Sequence, residues 1–489
     1  MPTPARAANA AAVLRAVLLH GPVPRSRLAG LSGLSPATVT RLYPPLAERR
    51  LLRELAGPEA GQTLGRPRVP VDLDVSGWVA LGVHLGARRS VFGAIDLRGR
   101  LLGAGEFEHE DDAGPEAVIG HACDRLRALH ARVAGRRRVL GLGVITGGRI
   151  DAGAGRLVEQ PGSGWPEGWS GVDLRAEFAR RLDLGPGNAG SGGHGGGIGH
   201  RNRIANGFGN GNGGGGNGVM NGNGITNGGG LGSALGHGTV TSLGAAGSAA
   251  NPATSPAAAP AANPVATPAI PVFVDEHVRA MATAECLFGR ARRARSLGYL
   301  YVGGTIGFAY SVDGAVHRGS RAAAGNIAHL PLGPGLAPMA GDAAPPPPCD
   351  GCGSRGCFQS LAGERGVAER AVRLGVVPEP RIDLVLKAAR AGDARADRLL
   401  RERAGNVGAA IAVLLGILDP ELFVVAGRGL TEAAEYLADL RAGTRERLRG
   451  AAPVPIVPTA FGGQVDAVAA ASVVIDRVVR DPLAVRAPR

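Results

Sequence analysis

Three of the five cysteines lie within one short segment, at Cys349, Cys352 and Cys357. Thiolates bind zinc strongly, and the glycines in this segment allow a short stretch of backbone to fold around a tetrahedral ion. His329 precedes the segment and is a candidate for the fourth ligand. A site closed by four protein ligands has no open coordination position, which indicates a structural role rather than catalysis. Free buried thiols are the alternative.

A second group of residues, near the N-terminus, suits contact with nucleic acid. A helix-turn-helix needs a small residue at the helix crossing, a turn residue that tolerates positive φ, and an apolar residue that seats the second helix. Ala29, Gly33 and Val39 stand at those offsets. Ser35 followed by Pro36 predicts where the second helix begins, because serine caps helices and proline is favoured in their first turn. The residues expected at the DNA surface of this unit are Arg25, Ser35, Thr38, Thr40 and Arg41. A helical bundle without DNA contact is the alternative.

Two short strands are predicted after these helices, over 51–55 and 69–73, and the Gly-rich loop between them ends in Arg66 and Arg68. This pattern predicts a winged helix, whose wing arginines suit either a narrow minor groove or general phosphate contact. Residues 1–70 carry ten arginines against three acids, a net charge of +7, whereas the whole chain carries +13. More than half of the excess lies in this segment, which is typical of a phosphate-binding surface.

Composition divides the chain into four segments. Residues 1–75 form the predicted DNA-binding domain, while 76–184 and 270–489 alternate strand-like and helix-like runs, an α/β signature. Residues 185–269 are rich in Gly and Asn and then in Ala and Pro; we expect a disordered insertion, because they cannot bury enough apolar surface.

No uninterrupted apolar run of about 18 residues occurs and the N-terminus contains arginines, so we expect no membrane span, no signal peptide and a cytoplasmic protein.

Several markers occur in the order found in one protein family. They are Gly65-Arg66-Pro67, Leu81-Gly82-Val83, Asp96-Leu97-Arg98-Gly99, Gly141-Leu142-Gly143-Val144, Gly164-Trp165, Val172-Asp173-Leu174, Gly325-Asn326-Ile327-Ala328-His329 and Leu418-Asp419-Pro420-Glu421. With them the chain resembles the ROK-family transcriptional regulators (repressor, open reading frame, kinase) from residue 9 to about 480, apart from 185–269. The resemblance implies an N-terminal winged helix-turn-helix and a two-lobed, actin-like or sugar-kinase-like α/β module. Family kinases bind ATP and a hexose between the lobes, whereas family regulators bind DNA and commonly use a sugar as effector.

The resemblance also assigns the zinc ligands. The family pattern is C-x-C-G-x-x-G-C after a histidine, which matches His329, Cys349, Cys352 and Cys357. The first spacing here is C-x-x-C, one residue longer than in the family, and this change affects Cys349 most.

The positions that carry out phosphoryl transfer in family kinases are altered here. His84 replaces the acid of the D-x-G-G-T phosphate loop, and Arg88 replaces its threonine. The catalytic E-N-D segment matches 275–277, which puts His277 at the position of the base aspartate. Histidine can accept a proton near neutrality. Phosphoryl transfer also needs a metal-binding acid, so we predict that the chain is not an enzyme.

The hexose-contacting positions of the family match Glu276, His277, Asn326 and His329. They predict a site for a sugar or sugar-phosphate effector; a vestigial cleft that acts only as a hinge is the alternative.

The prediction is therefore a cytoplasmic repressor that binds a double-stranded DNA operator. A homodimer or homotetramer is expected, because one short recognition helix rarely gives enough specificity. Closure of the lobes on the effector would change the spacing of the DNA-binding domains. Two alternatives stay open: an active ATP-dependent sugar kinase of the ROK type, and a zinc- or redox-responsive DNA-binding regulator.

Overall fold

The computed structural model describes residues 3–55, 69–110, 112–133, 135, 137–159, 165, 167–182, 184, 270–331, 346–431, 433–448 and 453–487. The expected insertion at 185–269 and the wing residues Arg66 and Arg68 lie outside these described residues. Among the described residues, no helix combines the length and the apolar composition needed to cross a membrane.

The N-terminal part consists of three helices and a small antiparallel sheet. Its elements are α1 (Pro4–His20), β1 (Val23–Pro24), α2 (Arg25–Ser32), α3 (Pro36–Glu48), β2 (Leu52–Glu54) and β3 (Pro70–Leu73). The strand order is β1-β3-β2. All three helices bury apolar side chains, among them Val13, Leu28 and Val39, in a core that also contains Val71 of the sheet. The two strands predicted after the helices are confirmed, each slightly shorter than expected.

A five-stranded sheet follows. The elements of this part are β4 (Trp78–Leu85), β5 (Arg89–Ile95), β6 (Leu101–Glu108), α4 (Pro115–Val133), β7 (Arg138–Thr146), β8 (Arg149–Asp151), β9 (Arg156–Glu159), α5 (Leu174–Arg181) and β10 (Val272–Glu276). The sheet order is β10-β7-β4-β5-β6. β4, β7 and β10 are parallel, whereas β5 and β6 are antiparallel to their neighbours. β8 and β9 form a separate hairpin.

The boundary predicted at residue 270 does not coincide with the division between the sheets. β10 follows the expected insertion along the chain, yet it pairs in parallel with β7, from Val272 opposite Leu142 to Glu276 opposite Thr146. Two parallel neighbouring strands need a crossover connection, and α5 is the helix of the crossover between β7 and β10. The segment 185–269 therefore interrupts one crossover of the first sheet. Composition marks such a segment but carries no information on the pairing of the strand that follows.

A second five-stranded sheet contains most of the remaining chain. The elements are α6 (His277–Leu287), β11 (Ser296–Val302), β12 (Ile306–Val312), β13 (Ala315–Val316), α7 (Phe358–Ala362), α8 (Glu364–Arg373), α9 (Ile382–Arg390), α10 (Ala394–Leu418), β14 (Leu422–Ala426), α11 (Ala434–Arg447), β15 (Ile456–Pro458) and α12 (Val465–Arg480). The order is β13-β12-β11-β14-β15, with β11, β14 and β15 parallel. The mixed sheets and covering helices confirm the predicted α/β class.

The last helix, α12, returns to the first sheet and packs against β4, β5 and β7. Small residues allow this close contact, because a β-carbon at Gly82 or Gly143 would collide with the backbone of Ala470 or Ala471. α6 lies beside α12 and contacts β11 and β12 of the second sheet. The two helices are thus packed between the sheets, and the first turn of each lies beside the histidine cluster described below.

Candidate metal centre, cleft and nucleic-acid interface

The structure brings together the four residues predicted to bind zinc. The ligand atoms of His329, Cys349, Cys352 and Cys357 all lie within 4.8 Å of one another. The Cys349 Sγ atom lies 3.4 Å from Nδ1 of His329, so the longer first spacing does not remove Cys349 from the cluster. Among the described residues, this is the one group of three or more His, Cys, Asp or Glu side chains close enough together to hold a metal ion.

Turns on either side of the cluster produce this convergence. Cys349 donates its N–H to the carbonyl of Ser354 (2.9 Å), and Gly353, at a φ of 70°, donates to the carbonyl of Cys349 (2.7 Å). A β-carbon at Gly351 would lie 2.6 Å from Cε1 of His329, so this position needs glycine. Cys357 precedes α7 and forms a bridge with Pro331, close to His329 in the chain. The glycines of this segment therefore allow the backbone to bring the four side chains together.

The donor set has the chemistry of a tetrahedral zinc site. With zinc–sulfur bonds of about 2.3 Å, ligand atoms in such a site lie about 3.7 Å apart. The observed limit of 4.8 Å is therefore close to the geometry that zinc needs. Burial raises the pKa of the Cys349 thiol to about 11, whereas the N–H of Ser354 lowers the pKa of the exposed Cys352. A cation bound by all four residues would stabilise the thiolates.

Two predicted effector residues, Glu276 and His277, form the start of α6. The Glu276 carboxylate caps the helix by accepting the N–H groups of Val278 (2.9 Å) and Arg279 (3.0 Å). It also forms an ion pair with His277, whose Nδ1 lies 2.9 Å from Glu276 Oε1. Burial has the largest single effect and raises the pKa of Glu276, but the charges of His277 and Arg279 and the hydrogen bonds that the carboxylate accepts together outweigh it and lower that pKa to about 2. Burial acts to lower the pKa of His277, but the negative charges of Glu276 and Asp466 act against it, and the pKa is raised overall.

His84 lies next to this pair, at the end of β4. Its ring centroid is 5.6 Å from that of His277, and its Nδ1 is 3.4 Å from Oδ1 of Asp466 in the first turn of α12. Burial is the main cause that lowers the pKa of His84. Tyr301, at the end of β11, meets the His277 ring edge-on at a centroid distance of 5.3 Å. The two histidines that replace kinase acids are therefore neighbours beside the start of α6. Tyr301 and Asp466 were not predicted, because the cluster combines strand and helix ends distant in the chain.

The loop that carries Asn326 and His329 is attached to the start of α6 by a buried carboxylate. Asp275, which is 3% exposed, accepts from Arg279 Nε (3.0 Å) and from Arg318 Nη2 (2.6 Å). Arg279 Nη1 also donates to the carbonyl of Ala322 (3.1 Å). The sequence marks Asp275 only as part of the segment that matches the catalytic residues of family kinases, and it does not indicate a role for either arginine.

The four predicted effector residues are only partly brought together. Glu276 pairs with His277, whereas His329 lies against Cys349 and belongs to the metal cluster. Asn326 is exposed. Within the described part of the chain, no hydrogen bond or ion pair joins Asn326 or His329 to the Glu276–His277 pair.

The predicted helix junction is present near the N-terminus. Gly33 follows α2 in the left-handed region, at a φ of 70°. Ser35 caps α3, because its Oγ accepts the N–H of Thr38 (3.2 Å) and lies 2.9 Å from the Thr38 hydroxyl. Thr40 donates its hydroxyl to the carbonyl of Pro36 (2.9 Å). Arg41 is exposed, and no ion pair or hydrogen bond is recorded for its side chain among the described residues. The first turns of α3 thus present a basic, solvent-facing surface.

Arg25 differs from the other predicted DNA contacts. Its Nη2 lies 2.5 Å from Oε1 of Glu54, and its guanidinium lies 3.6 Å from the centre of the Tyr43 ring. It therefore connects α2 with α3 and β2 inside the N-terminal part. The remaining two predicted contacts, Arg66 and Arg68, fall outside the described residues.

Comparison with known proteins gives consistent matches. Residues 264–477 match the model of the ROK family. The transcriptional regulator Rv0485 of Mycobacterium tuberculosis (strain H37Rv) is 30% identical over 488 residues, covering 97% of this chain and 86% of that protein. The transcriptional dual regulator NagC of Escherichia coli K12 and the N-acetylglucosamine repressor of E. coli O6:H1 are each 20% identical, covering 88% of this chain and 82% of theirs.

Solved structures show the same fold. A ROK family transcriptional regulator, described as a homologue of the E. coli MLC protein, covers 98% of both chains with a TM-score of 0.66 and 18% identity. ROK-family sugar kinases of known structure also match the fold.

Proposed function

The chain belongs to the ROK family, and from this membership we propose that it is a DNA-binding transcriptional regulator. It acts as a repressor, responds to a sugar-like effector and has no kinase activity. The observation that carries the proposal is the capped, exposed and basic start of α3. The transcriptional regulator from M. tuberculosis, which matches over 97% of this chain, supports it.

We infer that α1 to α3 and the small sheet form a winged helix-turn-helix, with α3 in the major groove of a double-stranded operator. Arg41 has free donors for base edges or phosphates. The hydroxyls of Thr38 and Thr40 already form hydrogen bonds with Ser35 and Pro36. These two residues would therefore contact DNA through their methyl groups and the remaining lone pairs of the hydroxyl oxygens. Arg66 and Arg68 are proposed as wing contacts.

Arg25 has a different role in this proposal. Its ion pair with Glu54 and its contact with the Tyr43 ring orient α3 relative to the strands of the wing. Arg25 is therefore a positioning residue, and sequence-specific contact is left to the exposed side chains of α3.

The cleft chemistry argues against phosphoryl transfer. A base must be unprotonated to accept the proton of a sugar hydroxyl, but Glu276 raises the pKa of His277 and favours the imidazolium. His84 occupies the position of the metal-binding acid, and the neighbouring Asp275 is engaged by two arginines. None of these groups is available in the form that a kinase needs.

We propose that the cleft binds a sugar or sugar-phosphate effector beside the start of α6. The polar groups there are Glu276, His277, His84, Tyr301 and Asp466. One relative is named for N-acetylglucosamine, which makes this sugar the first to test. Thermal unfolding with millimolar N-acetylglucosamine, glucose and their 6-phosphates should show one ligand that raises the midpoint. No shift with any sugar would favour a cleft that acts only as a hinge.

The metal cluster is proposed as a structural zinc site with His329, Cys349, Cys352 and Cys357 as ligands. Zinc would hold the segment after residue 346 against the loop that carries Asn326. A zinc- or redox-responsive regulator is the second candidate function, because Cys352 is exposed while Cys349 and Cys357 are buried. It predicts that operator affinity changes reversibly on oxidation, whereas a structural site predicts irreversible loss of folded protein.

The assembly and location follow from DNA binding. We propose a homodimer or homotetramer, because two recognition helices are needed for adequate operator specificity. Light scattering that finds monomers with and without DNA would contradict this. The proposal also places the protein in the cytoplasm, with residues 1–75 as its DNA-binding domain.

The proposed function is tested by mixing the purified full chain with sheared genomic DNA of its source and sequencing the retained fragments at two salt concentrations. A specific repressor should enrich a few fragments that persist at the higher salt. Diffuse retention that disappears with salt would show only general binding to a polyanion. That result would contradict the proposed function.

A further inference from the structure

One turn of the second sheet accepts hydrogen bonds from the N-terminal domain and from α12. The two-residue turn Asp313–Gly314 joins β12 to β13 in the second sheet. Arg15 of α1 donates to the carbonyl of Asp313, with a distance of 3.0 Å from Nη2. Arg480, the last residue of α12, donates to the carbonyl of Gly314 at 3.4 Å. The N-terminal domain, the helix on the first sheet and a strand turn of the second sheet therefore meet here.

The geometry of the turn explains why it can accept two arginines. Val312 pairs with Ala315, and Asp313 and Gly314 have φ angles of 50° and 74°. Positive φ at both central residues defines the two-residue hairpin turn that favours Asp-Gly. Such a turn leaves both central carbonyl groups outside the strand pairing, so they can accept hydrogen bonds from other donors. A β-carbon at Gly314 would also collide with the Arg15 guanidinium.

The helices α6 and α12 connect this region with the cleft. α12 has 16 residues, which corresponds to about 24 Å. Its first turn carries Asp466, 3.4 Å from His84, while Arg480 is at its other end. α6 begins at His277 in the cleft, and Arg292, shortly after its end, donates to the carbonyl of Leu19 in α1 at 3.3 Å. Both helices therefore run from the cleft to the N-terminal domain.

We propose that the Asp313–Gly314 turn is a latch that couples the cleft to the DNA-binding domain, with Arg15 as its positioning residue. This inference rests on the proposed DNA binding. When the cleft closes or opens, the second sheet moves relative to α12, and the latch transfers this movement to α1. Coupling between two sites is reciprocal, so DNA binding must also alter the cleft. The latch can therefore be tested before the effector is known.

The test uses the full chain, a genomic fragment that the wild type retains, and hydrogen–deuterium exchange. In the wild type, saturating DNA should change exchange in the first turns of α6 and α12 by about five-fold or more. Arg15→Ala should still bind the fragment but lose most of this change. Arg6→Ala is the matched control: it removes the same charge from the same helix, and Arg6 is exposed. It should behave as the wild type. A cleft response in Arg15→Ala equal to that of the wild type would overturn the latch.

A second variant changes the turn that accepts the Arg15 hydrogen bond. Gly314→Ala leaves Arg15 in place but puts a β-carbon against its guanidinium, so it should abolish the cleft response as Arg15→Ala does. If the wild type retains no fragment, the proposed function fails, but the contact is still tested in the free protein. Exchange at 15–19 of α1 should then rise in Arg15→Ala and Gly314→Ala and not in Arg6→Ala. Equal exchange in all four proteins would contradict the latch independently of DNA.

Discussion

Replacing Glu276 by glutamine should destabilise the protein in a pH window that identifies the His277–Glu276 ion pair. Glutamine keeps the shape of the side chain and can still accept a helix N–H, but it removes the charge that holds the imidazolium. In the proposed function, this ion pair keeps His277 from serving as a base. Its strength therefore bears directly on the proposed absence of kinase activity.

The magnitude follows from the pKa of Glu276. Lowering this pKa from 4.5 to about 2 corresponds to about 3 kcal/mol of folding free energy. A lowered carboxyl pKa contributes stability above pH 4.5, and the contribution is lost as the pH falls towards 2. The raised pKa of His277 works in the opposite sense, because its contribution is complete below pH 6.5 and is lost as the pH rises through the raised value. Both contributions are complete only between about pH 4.5 and 6.5, and each declines gradually beyond its end of this window.

Urea unfolding of the wild type and Glu276→Gln at pH 3, 5.5 and 9 measures this window. The difference in unfolding free energy should be largest at pH 5.5, about 3 kcal/mol, and smaller at both extremes. The exposed Glu379, changed to glutamine, is the matched control and should show a difference near zero throughout. A difference for Glu276→Gln that is the same at all three pH values would refute the ion-pair explanation.

Three further predictions follow from the same geometry. Ser35→Ala removes the cap of α3 and should cost about 1 kcal/mol of stability in the N-terminal domain, measured by thermal unfolding, with weaker DNA binding; an unchanged midpoint would contradict the capping role. Cys357→Ser should reduce bound zinc from about one ion per chain to near zero by mass spectrometry and lower the unfolding temperature, whereas Cys123→Ala, at a buried cysteine outside the cluster, should keep the metal. Incubation with ATP and a panel of hexoses should release no ADP above background, and sugar-dependent ADP release would establish the kinase alternative instead.

The features that the sequence predicts well are local. The serine cap, the glycine at positive φ and the two strands of the N-terminal domain depend on residues close together in the chain, and all are present. The four residues predicted to bind zinc are also close together, because glycine-rich turns bring the cysteines together over a short distance.

The features that were missed depend on pairing across long distances. Nothing near Val272 indicates that its strand joins the first sheet, and nothing near Asp466 indicates its position beside His84. The Asp-Gly pair at 313–314 is a recognisable hairpin signal, yet its arginine partners come from the two ends of the chain. Nothing near Arg25 in the chain indicates its contacts with Tyr43 and Glu54 within the domain, while its predicted contact with DNA stays a prediction.

The most direct test of the central claim is the affinity of wild-type protein, Arg41→Ala and Arg6→Ala for an enriched genomic fragment and for a scrambled fragment of equal length. If α3 recognises the operator, Arg41→Ala should lose about 5- to 150-fold in affinity for the enriched fragment and much less for the scrambled one. Arg6→Ala should reduce both affinities slightly and equally. If Arg41→Ala and Arg6→Ala give the same small loss on both fragments, α3 does not recognise the sequence and the proposed mode of DNA binding is wrong.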